Sequence, residues 1–265
     1  MPPSPHRSIW ACRHLILELT SREFAGRYRN SLGGALWAFV QPLFMLAVYT
    51  LAFGVILKSP WGLSVNTRDF SLLLFAGLMV FNAFTECLRR APTLISSNPN
   101  FVRKVVFPLE ILPWVQALNA LATLAASLLI WCAGYVLLVG LPHASVVYFP
   151  LVLLAFFPVL LGVGWLLSAF GTLVRDLDPL VGMAAQALLF LTPIFFSRDA
   201  APALLQPLLL LNPLTFIVEQ TRQVLFFGQA PDFVGLAIYL VCALFFSLLS
   251  LLMFRRLRPI FADLV

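Results

Sequence analysis

The sequence predicts an all-α polytopic membrane protein with six transmembrane helices, and three observations carry the prediction. Of 265 residues, 61% are hydrophobic and 11% are charged, whereas a soluble domain has roughly 45–50% and ~25%. Apolar runs close to the ~20 residues that a bilayer-crossing helix needs recur along the chain. The charged residues lie between these runs, and the only ones within residues 111–197 are Arg175, Asp176 and Asp178.

Residues 1–33 are predicted to form a cytoplasmic N-terminal segment. They carry five arginines but no continuous apolar core, so a cleaved signal peptide is not expected. Apolar residues recur at the spacing of one helix face, at Cys12, Leu15, Ile16 and Leu19. This pattern fits either a solvated amphipathic helix or a helix lying in the cytoplasmic headgroup layer, with its arginines against anionic lipid. We favour the second interpretation.

Residues 34–265 are predicted to form the membrane domain. Its spans are placed at about residues 34–57, 70–86, 111–140, 146–173, 180–197 and 233–254. After the second span, Asn98 and Pro99 suit the N-cap and the first position of a short helix at about 99–107. Residues 198–232 are apolar but broken by prolines into halves too short to span, which predicts a re-entrant outer segment.

The distribution of basic residues predicts that both termini are cytoplasmic. Lys58, Arg68, Arg198 and Arg222 fall on the outer side in this topology, and the other 13 of the 17 Lys and Arg residues fall on the inner side. Arg175 and Asp176 then form a cytoplasmic knuckle between the fourth and fifth spans. A charge at mid-bilayer costs at least ~2.5–3.5 kcal/mol, so this knuckle is expected in water.

Several classes of function are not indicated. The sequence has no G-x-x-x-x-G-K-[ST] motif, so we expect no P-loop in this chain. The central parts of the spans lack Asp, Glu, Lys and Arg, which ion-coupled transporters and membrane hydrolases need. The four cysteines show no metal-ligand spacing, and we expect no metal, disulfide, catalytic residue or nucleic-acid partner. Active transport would require energy from another chain.

Six short stretches carry a resemblance to a known family. They are residues 27–34 with Leu36-Trp37 and Gln41-Pro42-Leu43, residues 98–110, Arg175-Asp176-Leu177, Thr192-Pro193-Ile194-Phe195, Leu211-Asn212-Pro213-Leu214 and Arg255-Arg256-Leu257-Arg258-Pro259. In this order they resemble the permease subunits of polysaccharide-export ABC transporters, type-2 ABC exporters, over about residues 22–263.

The resemblance implies a homodimer of six-span subunits in the bacterial inner (plasma) membrane. Two separate ABC ATPase subunits would bind ATP and Mg, and this chain would bind no cofactor. The cargo of such permeases is a lipid-linked O-antigen, capsular polysaccharide or teichoic acid, which moves outward. A permease for a drug or simple lipid, or a membrane scaffold subunit that transports nothing, is the alternative.

The same resemblance assigns roles to segments. Residues 8–30 would be the interface helix, residues 99–107 the coupling helix, and residues 198–232 the outer gate helices. Contact with the ATPase would involve Asn98, Asn100, Phe101, Arg103 and Lys104. Family members often carry Tyr where this chain has Phe196, so stacking rather than hydrogen bonding to sugar is implied there.

Aromatic residues, 14% of the chain, are frequent on the first, second and fifth predicted spans. This wider set is Phe39, Phe44, Tyr49, Phe53, Phe81, Phe84, Phe190, Phe195 and Phe196. The apolar faces of sugar rings can slide over aromatic rings, so we expect part of this set to line a path. The path and gate residues that we single out are Tyr49, Phe53, Phe190, Phe195 and Phe196. Ordinary packing against lipid or core is the alternative for each ring.

Overall fold

The computed structural model describes residues 9–28, 34–52, 67–102, 107–174, 176–196, 198, 202 and 206–264. Four of the residues singled out above, Phe53, Arg103, Lys104 and Arg175, lie outside this part of the chain. Within it the regular structure is helical. The α-helices are α1 Arg13–Tyr28, α2 Trp37–Tyr49, α3 Thr67–Arg90, α4 Pro99–Val102, α5 Leu112–Leu138, α6 Phe149–Leu173, α7 Leu177–Leu191, α8 Gln206–Leu211, α9 Pro213–Leu225 and α10 Phe233–Leu264.

Helix α3 forms the centre of the fold. Every residue from 70 to 81 is buried, because α2, α5, α6, α7 and α9 all pack around this helix. A helix that is apolar on all sides is stable in a protein core or in a bilayer, and here the neighbouring helices enclose it. Among the described helices, α6 and α10 make the most extensive contact with each other.

Four helices are long and apolar enough to cross a membrane: Phe70–Arg90, Leu109–Leu138, Ala144–Leu173 and Phe233–Phe261. They correspond to the predicted second, third, fourth and sixth spans. Two shorter apolar helices, Trp37–Ala52 and Leu177–Leu191, lie at the predicted first and fifth spans. The all-α class is therefore confirmed for the described residues, and four of the six predicted spans coincide with helices long and apolar enough to cross a membrane.

Three helix ends differ from the sequence expectation. Helix α7 ends at Leu191, although its span was expected to reach residue 197, because Thr192 precedes a proline and adopts an extended conformation. Helix α10 continues beyond residue 254 to Leu264. In the expected helix 99–107, the described helical part is Pro99–Val102, and Phe107 lies in irregular backbone.

The helices define two ends of the bundle. At the first, which we call the basic end, the turn at Pro92 touches Gly171 near the end of α6, and Arg258 of α10 reaches Glu110 before α5. Described arginines at or beside this end are Arg13, Arg22, Arg27, Arg89, Arg90, Arg255, Arg256 and Arg258. At the opposite end, which we call the α9 end, the Ser145 hydroxyl donates a hydrogen bond to the Val224 carbonyl at 2.7 Å.

Candidate functional site

The α9 end contains a stretch of non-helical backbone, residues 192–196, which we call the 192–196 segment. A helix leaves its last carbonyls without intrahelical partners, and two side chains satisfy carbonyls of α7 here. The Thr192 hydroxyl donates to the Leu188 carbonyl at 2.7 Å. The Asn212 amide nitrogen donates to the Leu191 carbonyl at 3.0 Å and to Thr192 Oγ1 at 2.9 Å.

Arg222 of α9 points its guanidinium at the same segment. Nη1 donates to the Pro193 carbonyl at 2.6 Å, and Nη2 donates to the Ile194 carbonyl at 2.5 Å. Nε donates to the Leu73 carbonyl of α3 at 3.3 Å. The side chain is only 4% exposed. Because a buried charge is tolerated where it faces the bundle and meets backbone carbonyls, these contacts explain its position.

Gly77 of α3 makes room for this guanidinium. A Cβ at Gly77 would lie 3.1 Å from Arg222 Nη2 and 3.3 Å from Nε. Gly77 also follows Leu73 by one turn, so the missing side chain leaves the Leu73 carbonyl accessible to Nε. The glycine thus forms a notch in an otherwise crowded helix.

Glu219 lies one turn before Arg222 on α9, a spacing that predicts a local ion pair. In the structure Glu219 pairs with Arg198, with 3.4 Å between Oε2 and Nη1. Arg198 follows the 192–196 segment, so this ion pair is a further tie between α9 and the chain that leaves α7.

The four described residues of the singled-out aromatic set fall into two groups. Phe190 is 70% exposed on α7, and its ring centroid lies 6.3 Å from that of Phe195, which packs on the core. Phe196 is the next residue and is half-buried. Tyr49 is half-buried on α2, which packs on α3 and α5, whereas α7 packs on α3 and α6. Tyr49 therefore lies on α2, whereas Phe190 lies on α7 and Phe195 and Phe196 lie in the 192–196 segment that follows it. Phe53 is outside the described residues.

The wider aromatic set also divides. Phe81 and Phe84 are each 5% exposed and belong to the core. Phe39 and Phe44 are exposed on α2. The core contacts of Phe81 and Phe84 follow from the enclosure of α3, which the apolar sequence pattern alone does not reveal.

At the basic end, the described residues of the expected coupling segment are Asn98 to Val102 and Phe107. The Asn98 amide donates to the Leu94 carbonyl at 2.9 Å, and the Asn98 carbonyl accepts from the Phe101 N–H at 3.0 Å. Phe101 stacks on Phe107, with centroids 4.3 Å apart and planes inclined by 10°. Asn100 is exposed. The two rings bring together the two described parts of the expected coupling segment.

Arg258 attaches this segment to α10. Its Nη1 lies 2.9 Å from Glu110 Oε1, and its Nη2 donates to the Phe107 carbonyl at 3.1 Å. Arg255 Nε lies 3.9 Å from the same carboxylate. Glu110 is buried, and its carbonyl accepts a hydrogen bond from Trp165 Nε1 at 3.0 Å. Glu110 therefore joins three helices near the start of α5. Its carboxylate contacts the end of α10, and its backbone carbonyl contacts α6.

Charges also link α1 to α3. Arg27 of α1 pairs with Glu86 of α3, and Glu23 lies 2.5 Å from Arg90. Glu86 and Arg90 are 3.7 Å apart along α3. The apolar face of α1 packs at the same time, since Cys12 and Ile16 are buried against the start of α5.

Asp176 is exposed between α6 and α7. Its side chain makes no capping hydrogen bond to α7. Asp178 is exposed in the first turn of α7, where a negative charge complements the helix dipole.

The sequence patterns do not single out three residues that the structure places at these sites. In the sequence, Arg222 counts as an outer charge in the topology, Gly77 is one glycine in the predicted second span, and Glu110 is the last residue of the stretch 98–110. The available signals are weak: a lone arginine in a largely apolar helix, and a glycine in a crowded one. Their significance becomes visible only when the partner carbonyls are located.

Four long apolar helices, positive charge at one end and non-helical backbone held at the other define a polytopic α-helical membrane protein. The family follows from comparison with known proteins. Residues 14–226 match the model of the ABC-2 type transporter family, and the chain belongs to this family.

Curated relatives extend over nearly the same length. The O-antigen export system permease protein RfbA of Myxococcus xanthus is 27% identical over 236 residues, which cover 85% of this chain and 85% of that protein. A protein of the same name from Klebsiella pneumoniae is 21% identical over 257 residues, covering 95% of each chain. The polysialic acid transport protein KpsM of Escherichia coli is 24% identical over 236 residues, covering 86% and 88%.

Proposed function

We propose that this chain is the membrane subunit of an ATP-driven exporter that moves a lipid-linked polysaccharide, of the O-antigen kind, outward across the bacterial inner membrane. The observation that carries the proposal is the agreement among relatives. Proteins matching 85% or more of the chain are named as O-antigen export permeases in two of the species and as a polysialic acid transport protein in the third. The six sequence stretches quoted above point to the same cargo class.

The proposed topology has six crossings. Helices α2 and α7 would supply the two short crossings, and α8 and α9 would form the re-entrant outer segment. Both of these last helices are too short to cross a bilayer, with six and 13 residues. The arginines at the basic end favour a cytoplasmic position for that end and for both termini.

The proposed assembly contains two copies of this chain and two ABC ATPase subunits that bind ATP and Mg. Residues 99–107 would dock on the ATPase, with Asn98, Asn100, Phe101, Arg103 and Lys104 at or beside the contact. The stacking of Phe101 on Phe107 supports this role, because force can pass directly between these two packed rings. The Arg258 bond to the Phe107 carbonyl would pass part of that push to α10.

In the proposed path, the polymer leaves past Phe190, Phe195 and Phe196, while Tyr49 and Phe53 line another part. The exposure of Phe190 and its contact with Phe195 support the first group. Helices α8 and α9 would close the exit when no polymer is present. Aromatic faces suit this task because they can pack on each other and also stack on sugar rings.

Deletion of the gene, followed by complementation, tests the proposal. We expect the deletion to remove surface polysaccharide and to leave lipid-linked polymer inside the cell, and a plasmid copy should restore the surface polymer. Drug susceptibility measured on the same strains tests the alternative cargo. Unchanged surface polymer together with altered drug susceptibility would reject the polysaccharide assignment.

A further inference from the structure

We propose that Arg222 is a positioning residue of the exit. Together with Asn212 it holds the 192–196 segment in one conformation and so fixes the positions of Phe195 and Phe196. Its importance for export rests on the proposed function, whereas its effect on the segment rests on the contacts of the described residues. The two parts can therefore be tested separately.

The 192–196 segment needs external hydrogen bonds because it has left the helix. Pro193 has no N–H group, and Ile194, which is fully buried, donates its N–H to the Thr192 carbonyl at 2.7 Å. This contact is a three-residue turn. The Pro193 and Ile194 carbonyls still require donors, since a buried carbonyl without a partner is strongly destabilising.

Arg222 supplies both donors from a single planar group. Its two terminal nitrogens reach the Pro193 and Ile194 carbonyls, and its Nε reaches Leu73 on α3. A lysine ammonium is a compact point charge and cannot reproduce this planar fork. The positive charge also lies just beyond the C-terminus of α7, where the helix dipole favours a cation.

Asn212 secures the start of the same segment. Its amide nitrogen bonds the last carbonyl of α7 and the Thr192 hydroxyl, while its Oδ1 accepts from the Leu214 N–H and so caps α9. Arg222 and Asn212 thus attach the segment to α9 at two points. A displacement of α9 would carry the segment and its two phenylalanines with it.

Labelling of single cysteines measures the position of the segment directly. The full-length chain, expressed with its ATPase and lacking its four native cysteines, would carry Phe196→Cys as the reporter or Phe190→Cys as the reference on α7. Replacing Arg222 by Met keeps much of the side-chain length but removes all three donors. We expect this change to raise the rate of maleimide labelling at position 196 by at least about tenfold, the factor that one hydrogen bond to a charged group is worth. The rate at position 190 should not change.

Matched variants separate positioning from general stability. Asn212→Asp keeps the acceptor that caps α9 but loses the donated bonds, so labelling at position 196 should also rise. Arg222→Lys should give a rate between those of the parent and Arg222→Met. Ser145→Ala removes a buried hydrogen bond to α9 without touching the segment, and it should leave both rates at the parent values.

A second route keeps the test decisive if Arg222→Met does not fold. Gly77→Val crowds the guanidinium from α3, since even a Cβ there would lie 3.1 Å from Nη2. Gly182→Val is the control, because a Cβ added at this glycine of α7 would have no atom within 4 Å. Labelling at position 196 should rise in the first variant and not in the second.

The outcomes distinguish the two levels of the proposal. For Arg222→Met and Asn212→Asp we expect faster labelling at position 196 together with reduced surface polysaccharide. The polysaccharide would be measured in strains that retain Phe196. Unchanged labelling in folded Arg222→Met and Asn212→Asp proteins would overturn the positioning role, and faster labelling with full export would overturn its importance for export. Failure of the proposed function would appear differently, as a parent chain that does not restore surface polymer at all.

Discussion

Replacing Arg258 by Gln tests the connection between the coupling segment and α10. The change removes the 2.9 Å contact with Glu110 and the 3.1 Å bond to the Phe107 carbonyl. A hydrogen bond to a charged group contributes about 1.5–3 kcal/mol. The Arg258 side chain is 32% exposed, and Arg255 stays 3.9 Å from the carboxylate. Solvent screening and this second cation both lower the loss, so we expect a destabilisation of about 1–2 kcal/mol.

A double-mutant cycle with Glu110→Gln isolates the pair. Stability would be measured by thermal or denaturant unfolding in detergent, and the coupling energy between the two positions should be about 0.5–2 kcal/mol. Arg256→Gln is the matched control, because Arg256 is exposed on the same helix and the substitution changes the same charge. ATP hydrolysis by the complex should continue in Arg258→Gln while export falls. Additive effects on stability, together with unchanged export, would refute the reasoning.

Three further predictions concern the proposed path, coupling and topology. Replacing both Phe195 and Phe196 by Ala should increase ion flux into liposomes and reduce export. Each half-buried ring should contribute less to the stability of the closed exit than the ~3–5 kcal/mol of a fully buried ring. Parent values for both ion flux and export would mean that the rings only pack. Reversing Arg103 and Lys104 to Glu should abolish export, measured as surface polymer, with the protein still folded, and unchanged export by an intact complex would exclude this segment from coupling. A single cysteine at Asp178 should react with an impermeant thiol reagent only after the cells are opened, and labelling of intact cells would contradict the topology.

Sequence and structure agree where a property depends on the amount and spacing of apolar residues. The position of α3 along the chain, the length of α6 and the start of α10 follow from uninterrupted apolar runs, because such runs form helices in a bilayer. The two helices on either side of Asn212 also follow from local signals, because an asparagine before Pro213 both ends one helix and caps the next.

The differences arise where a local pattern has two physical solutions. Thr192 and Pro193 are compatible with a kinked span, but the helix ends there because Asn212 and Arg222 satisfy the freed carbonyls. A charge is assigned to water by default, yet Arg222 is buried because three carbonyls from separate parts of the chain meet at one point. Which aromatic residues share a surface likewise depends on helix packing, which places Tyr49 on α2 and Phe190 on α7, two different neighbours of α3.

Reconstitution with the partner ATPase tests the central claim most directly. The permease and the ATPase would be placed in proteoliposomes that contain lipid-linked polysaccharide on the face bearing the ATPase. The polymer reaching the opposite face would be measured with an impermeant lectin or antibody. Polymer should become accessible on that face only when ATP and Mg are supplied, and not when a hydrolysis-deficient ATPase replaces the active one. ATP hydrolysis without any transfer of polymer, in a folded and assembled complex, would contradict the proposed function.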